Sequence, residues 1–212
     1  MRLLVGDIGG TKTALGVAET DGEFVTLTET RRYPSDAFSS FDEIVRRYCA
    51  ETGMHCRFGA FAVAGPIQDR RCEATNLPWT LDADMLEATF GFAGVELLND
   101  LEAVAWGVPV LEPAEFAELH PGDGVSRGNA CVVAAGTGLG QAGLFWDGVR
   151  HHPFATEGGH TGFAPADDLE FALLTHLKMR FGRVSWERVV SGPGIANLYE
   201  FLLTHHGARQ PE

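Results

Sequence analysis

The stretch Val95-Glu96-Leu97-Leu98-Asn99-Asp100 decides how the chain is read. Its apolar run, Val95 to Leu98, predicts a short buried strand that stops on two polar residues. Leu101, Val104, Ala105 and Val108 then recur at i, i+3, i+4 and i+7, the spacing of one helix face. Asn99 and Asp100 therefore fall where a strand ends and a helix begins. In open α/β sheets that edge is where ligands bind. A carboxylate there can take up a proton, and a neighbouring amide can hold a hydroxyl. The same pair also suits a helix N-cap, the commoner role for such residues, so the rest of the chain must decide between them.

Working outward toward the N-terminus, Leu3 to Val5 predicts a strand that runs into Gly6-Asp7-Ile8-Gly9-Gly10-Thr11-Lys12-Thr13. Ala14 to Glu19 and Phe24 to Arg32 predict two more strands, with a turn at Asp21-Gly22. The chain thus opens on an antiparallel meander with a glycine-rich first turn. Adjacent glycines let backbone approach a ligand closely, and successive N–H groups in such a turn form an anion nest. Asp7 would repel a phosphate and suits a metal-bound water better. A tight structural hairpin accounts for the glycines equally well. The P-loop spacing G-x-x-x-x-G-K-[ST] is absent.

Ser40-Phe41-Asp42-Glu43 fits a capping box, and the helix it starts places Phe41, Ile44, Val45 and Tyr48 on one face and ends near Gly53. Phe58 to Ala64 predicts a strand closed by Gly65-Pro66, and Asp82 to Phe90 a helix closed by Gly91. Between them, Asn76 and Trp79 could line a sugar site, although a single Trp is more often core. Pro109 to Asn129, rich in proline and glycine, marks a boundary and divides the chain into 1–110 and 111–212. Ala130 to Ala134, Ala135-Gly136-Thr137-Gly138-Leu139-Gly140 and Ala142 to Trp146 then repeat the opening plan of strand, Gly/Thr turn, strand. In Glu157-Gly158-Gly159-His160 the glycines allow a tight loop from which Glu157 and His160 could face one way. With no third ligand spaced to help, contacts to sugar hydroxyls fit them better than a metal. Asp168 to Phe181 predicts a helix burying Leu169, Ala172, Leu173 and Leu177. Ser185 is placed to cap a short helix containing Glu187, and Ser191-Gly192-Pro193-Gly194 precedes a last helix from Ile195 to about His205, stopping at Gly207.

The totals set bounds. The 212 residues are 45% hydrophobic, enough to build a packed core. A net charge of -13 argues against a nucleic-acid partner and a polybasic membrane contact. It leaves a nucleotide open, because magnesium and backbone N–H groups can carry phosphate charge. Cys49, Cys56, Cys72 and Cys131 show no C-x-x-C spacing, so a zinc site is not expected and reduced thiols in a cytosolic protein are. The apolar stretch at the N-terminus is too short for a signal peptide, and no run reaches the ~18 to 20 apolar residues of a membrane span.

The Gly6-to-Thr11 turn, Leu98-Asn99-Asp100, Gly136-Thr137-Gly138-Leu139-Gly140, Glu157-Gly158-Gly159-His160 and Glu187-Arg188-Val189-Val190-Ser191-Gly192-Pro193-Gly194 occur in the order seen in bacterial-type glucokinases, which the whole chain resembles. The resemblance implies an α/β, two-lobed ribonuclease-H-like fold of the actin-like ATPase and sugar kinase class, with the second lobe incomplete and the adenine pocket missing. It implies ATP-dependent phosphorylation of the primary (6-) hydroxyl of glucose, feeding glycolysis. Asp100 would be the general base, and Asn99, Glu157, His160 and Glu187 would hold the other hydroxyls. Gly6, Asp7, Ile8, Gly9, Gly10 and Thr11, with Thr137 and Gly138, would face the nucleotide, Asp7 reaching magnesium through water. The implied partners are glucose and MgATP in the cytoplasm, with neither nucleic acid nor membrane, and a homodimer as the assembly. A hexokinase of other sugar preference and a non-catalytic sugar-binding or regulatory derivative are the alternatives.

Overall fold

The computed structural model describes residues 1–21, 25–75, 77–122 and 128–206, with backbone alone at His206. The expected turn residue Gly22, strand start Phe24, sugar candidate Asn76 and stop Gly207 lie outside the described residues. Two compact units are present, Met1–Ala103 and Val104–Glu212. The division falls within the helix that follows Asn99, ahead of the 110/111 boundary expected from the proline-rich stretch.

The first unit is a five-stranded sheet in the order β3-β2-β1-β4-β7, where β1 is Arg2–Ile8, β2 Lys12–Thr20, β3 Val25–Pro34, β4 Phe58–Val63 and β7 Gly94–Asn99. The expected meander forms its antiparallel side, β1 against β2 and β2 against β3. β4 then pairs parallel to β1, and β7 parallel to β4. Helix α1 (Phe41–Thr52) connects β3 to β4 and buries the four residues expected of it, Phe41, Ile44, Val45 and Tyr48. Ser40 caps it by accepting the Glu43 N–H. The reciprocal arm differs from a capping box, since the Glu43 carboxylate accepts from Ser39 rather than from Ser40. Gly53, at φ 67, closes the helix in the left-handed conformation that glycine adopts without strain.

In β4, alternate residues point into the core, and Phe61 is at its centre. Its ring meets Phe41 at 5.0 Å in an edge arrangement. Gly6 is what makes room there, because a Cβ on it would lie 2.7 Å from Leu15 and 3.0 Å from Phe61. A two-stranded hairpin, β5 (Arg71–Glu73) with β6 (Thr80–Asp82), leads into α2 (Ala83–Phe90). Asp82 caps α2 by accepting from Asp84 and Met85. Trp79 is core, 3% exposed, and its Nε1–H has no partner among the described residues. It is therefore not a sugar-facing ring.

The helix after β7 is α3 (Asp100–Gly107). Its expected apolar stripe is only partly realised, since Ala105 is buried and Val104 is 52% exposed. In the second unit, β8 (Ala130–Ala135), β9 (Leu139–Trp146) and β10 (His151–Thr156) form an antiparallel sheet in the order β10-β9-β8. The strand–turn–strand plan of the N-terminus recurs in it. β8 is apolar yet largely exposed, with Val133 at 57%. Helix α4 (Asp168–Phe181) buries Leu173 and Leu177, whereas Leu169, expected on that face, is 45% exposed. Helix α5 (Gly192–His206) begins a turn earlier than expected. Gly192-Pro193-Gly194 is its first turn, where proline is tolerated, and the Ser191 hydroxyl accepts the Gly194 N–H at 3.0 Å.

Candidate functional site

In the first unit, three parallel strands deliver their C-terminal ends to one edge. Ile8 pairs with Val63, and Val63 with Asn99. The turn after β1, the Ala64-Gly65 turn and the Asn99-Asp100 pair therefore share the edge at which open α/β sheets bind ligands. Asn99 is the residue that caps α3. Its Oδ1 accepts from Leu101 at 3.1 Å and Glu102 at 3.3 Å, and its Nδ2 donates to the Gly65 carbonyl at 3.2 Å. Gly65 needs to be glycine, with φ 149 and only 2.9 Å between a would-be Cβ and the Cys72 Sγ. Asp100 accepts from the Leu101 N–H at 2.9 Å through Oδ1 and is only half-buried. The capping task thus falls mainly on Asn99.

Asp7 lies near Asp100, close enough for their charges to interact. Desolvation, and then repulsion from Asp100, push the Asp7 carboxyl above its ordinary value, although its side chain remains accessible. Two carboxylates at one strand edge suit a divalent cation, whose charge would relieve that repulsion. A folded-state pKa above the unfolded one means that stability is full while the group holds its proton and falls as pH rises through the folded value. Asp7→Asn is accordingly expected to raise the Tm of the metal-free protein at neutral pH. The difference should shrink on acidification, as Asp7 takes up a proton; thermal melts in chelator across pH check this.

The first glycine-rich turn is braced from within. The Gly9 N–H donates to Lys12 O at 3.0 Å, and the Ser35 N–H donates to Thr11 O at 3.0 Å. The buried Ser35 hydroxyl donates to Gly9 O at 2.8 Å and lies 3.0 Å from the Thr13 hydroxyl. Nothing local in the sequence marks Ser35 and Thr13 as a pair, since their contact joins residues 22 positions apart. Ser35→Ala would leave a buried hydroxyl and a carbonyl unpaired and is expected to cost about 1–3 kcal/mol, read by urea denaturation. Gly10 and Thr11 lie in the turn itself, with Thr11 exposed. Gly6 packs within β1 and the Ile8 side chain is 1% exposed in the core, so both would meet a nucleotide through backbone alone. Alternation along β1 sends Ile8 inward and Asp7 outward.

The second unit brings together Thr137, Gly138, Glu157, His160 and Glu187. Glu157-Gly158-Gly159-His160 forms a tight turn, with His160 N–H donating to Glu157 O at 3.0 Å. Gly159 packs against the start of β9 so closely that a Cβ would collide with the Leu139 carbonyl. That contact sets the exposed Glu157 and His160 side chains on one rim, with Oε2 of Glu157 3.7 Å from Nε2 of His160. Glu187, in a short 3-10 turn, reaches the same place, with Oε1 3.8 Å from His160 Nδ1. Ser185 does not cap that turn through its side chain. The Glu187 Oε2 accepts the Leu139 N–H at 3.0 Å, a bond that sequence spacing did not suggest. Thr137 is exposed at the tip of the β8–β9 turn.

Each unit thus presents a glycine-rich turn between antiparallel strands, next to carboxylates placed for polar ligands. This is the plan of the actin-like ATPase and sugar kinase class. The family model Glucokinase matches residues 4–212, and the chain belongs to that family. It is 37% identical to the glucokinase of Caulobacter sp. (strain K31), over 99% of this chain and 64% of that one. Among solved structures, the glucokinase from an Antarctic psychrotroph has a TM-score of 0.85 at 30% identity, covering 100% of this chain and 67% of that one. A ROK family glucokinase from Streptomyces griseus, in complex with glucose and AMPPNP, has a TM-score of 0.58 at 23% identity, covering 98% and 62%, and shares the fold. The chain spans under two thirds of the curated relative's length.

Proposed function

We propose that this chain carries the sugar- and phosphate-facing elements of an ATP-dependent glucokinase. The observation that carries this reading is the position of Asp100, a half-buried carboxylate at the ligand edge of the sheet whose neighbour Asn99 does the capping. Asp100 accepts the proton of the sugar's primary hydroxyl as that oxygen attacks the γ-phosphorus. The bond to the bridging oxygen breaks, and ADP leaves. Asn99, Glu157, His160 and Glu187 hold the remaining hydroxyls, so that a sugar lacking one leaves a partner unpaired in the closed complex. The turns at Gly9–Thr11 and Thr137–Gly138 present backbone N–H groups to the phosphates. Asp7 would hold magnesium through water; the ion, when bound, neutralises phosphate charge. Phosphoryl transfer depends on positioning and charge neutralisation more than on covalent chemistry, and these groups supply both.

The reading extends to a cytoplasmic, glycolytic role as a homodimer. The net charge of -13 supports the expectation of neither nucleic acid nor membrane as partner. Among the described residues no helix is long and apolar enough to cross a membrane. A coupled assay with glucose and MgATP tests the reading: formation of glucose 6-phosphate supports it. Saturable glucose binding without transfer would favour a sugar-binding derivative, and transfer to another hexose in preference to glucose would favour a different kinase.

A further inference from the structure

We propose that Glu187 is a positioning residue that makes the geometry of the Gly136–Gly140 turn depend on sugar occupancy. The inference rests on the reading above, in which that turn faces phosphate and the rim of Glu157, His160 and Glu187 faces sugar. Glu187 divides its carboxylate between the two. Oε2 accepts the Leu139 N–H at 3.0 Å, at the end of the turn, while Oε1 points to the His160 side, 3.8 Å from Nδ1. The carboxylate lies flush against the turn because residue 138 has no side chain: a Cβ there would sit 2.6 Å from Oε2.

The same segment holds the other end of the turn. The Gly192 N–H donates to the Gly136 carbonyl at 2.7 Å. The Ser191 hydroxyl donates to the Glu187 carbonyl at 2.7 Å, joining the two anchors over five residues. The backbone anchor at Gly136 is present whatever Glu187 does. The side-chain anchor at Leu139 depends on one rotamer of a residue 28% exposed at its side chain. A sugar hydroxyl that donates to Oε1 fixes that rotamer and so fixes the Leu139 N–H. Sugar binding then orders the phosphate-facing turn, and by linkage an ordered turn tightens sugar binding.

A carboxylate has two acceptor oxygens, one for each partner. Glutamine keeps one acceptor oxygen and replaces the other with an NH2 that cannot accept, so the Leu139 N–H and a donating sugar hydroxyl no longer each have an acceptor oxygen of their own. Glu187→Gln is therefore expected to bind glucose more weakly but still saturably, and to lose the connection. The test is amide hydrogen exchange at Leu139, measured by NMR with and without saturating glucose. Glucose should slow exchange about tenfold or more in the wild type and hardly at all in Glu187→Gln. Gly138→Ala, which pushes the carboxylate away without altering it, should behave as Glu187→Gln does and covers the case in which that variant fails to fold. If glucose binds but leaves Leu139 exchange unchanged, or slows it equally in a folded variant, the inference is wrong while the sugar-binding reading stands. If no saturable glucose binding is seen in the wild type, the sugar-binding reading itself fails, and the inference with it.

Discussion

Asp100→Ala is expected to lower glucose phosphorylation by about 10²- to 10⁴-fold, the range of a lost general base. Glucose binding should stay measurable by isothermal titration, because the residues assigned to the other hydroxyls are intact. The fold should also survive. Asn99 keeps Leu101 and Glu102 as capping partners, so removing the Asp100 carboxylate takes away only its own bond to Leu101. Loss of glucose binding together with turnover would assign Asp100 a structural role instead.

Gly159→Ala is expected to have the other large effect, this time on binding. The added methyl would collide with the Leu139 carbonyl, a backbone atom at the start of β9 that cannot swing aside. The turn must then shift outward and carry Glu157 and His160 with it. Losing the hydrogen bonds that both side chains make to a sugar, at roughly 1.5 kcal/mol each, costs on the order of 10²-fold. Glucose affinity should fall by that order, and circular dichroism should show the secondary structure retained. Gly158→Ala is a milder companion, since the atom its Cβ meets is the far end of the flexible Gln141 side chain.

Much of this arrangement is legible from sequence because it rests on short-range physics. The cap at Ser40, the four buried residues of α1 and the glycine at 53 follow from helical period and backbone conformation alone. So does the placement of Asp100, since an apolar run that stops on a polar pair before a helical pattern leaves few alternatives. What escaped the reading has no local signal. The β5–β6 hairpin is approached through Asp69 and Arg70, both at positive φ, and Arg is not a residue that turn rules look for there. The apolar stretch of β8 marks a strand but says nothing of its exposure, which depends on what lies beside it. Ser35 and Gly6 show the same limit in the first unit. One is a buried brace and the other a packing gap, and both are set by partners distant in sequence. The bond between Glu187 and Leu139 spans 48 positions, and no spacing rule predicts it.

Titration of glucose into the protein beside its Gly159→Ala variant decides whether the rim of Glu157 and His160 holds the sugar. Saturable, stoichiometric binding by the wild type and a loss of about 10²-fold in the variant are expected. The absence of saturable binding by the wild type, or equal affinity in a folded variant, would contradict that role.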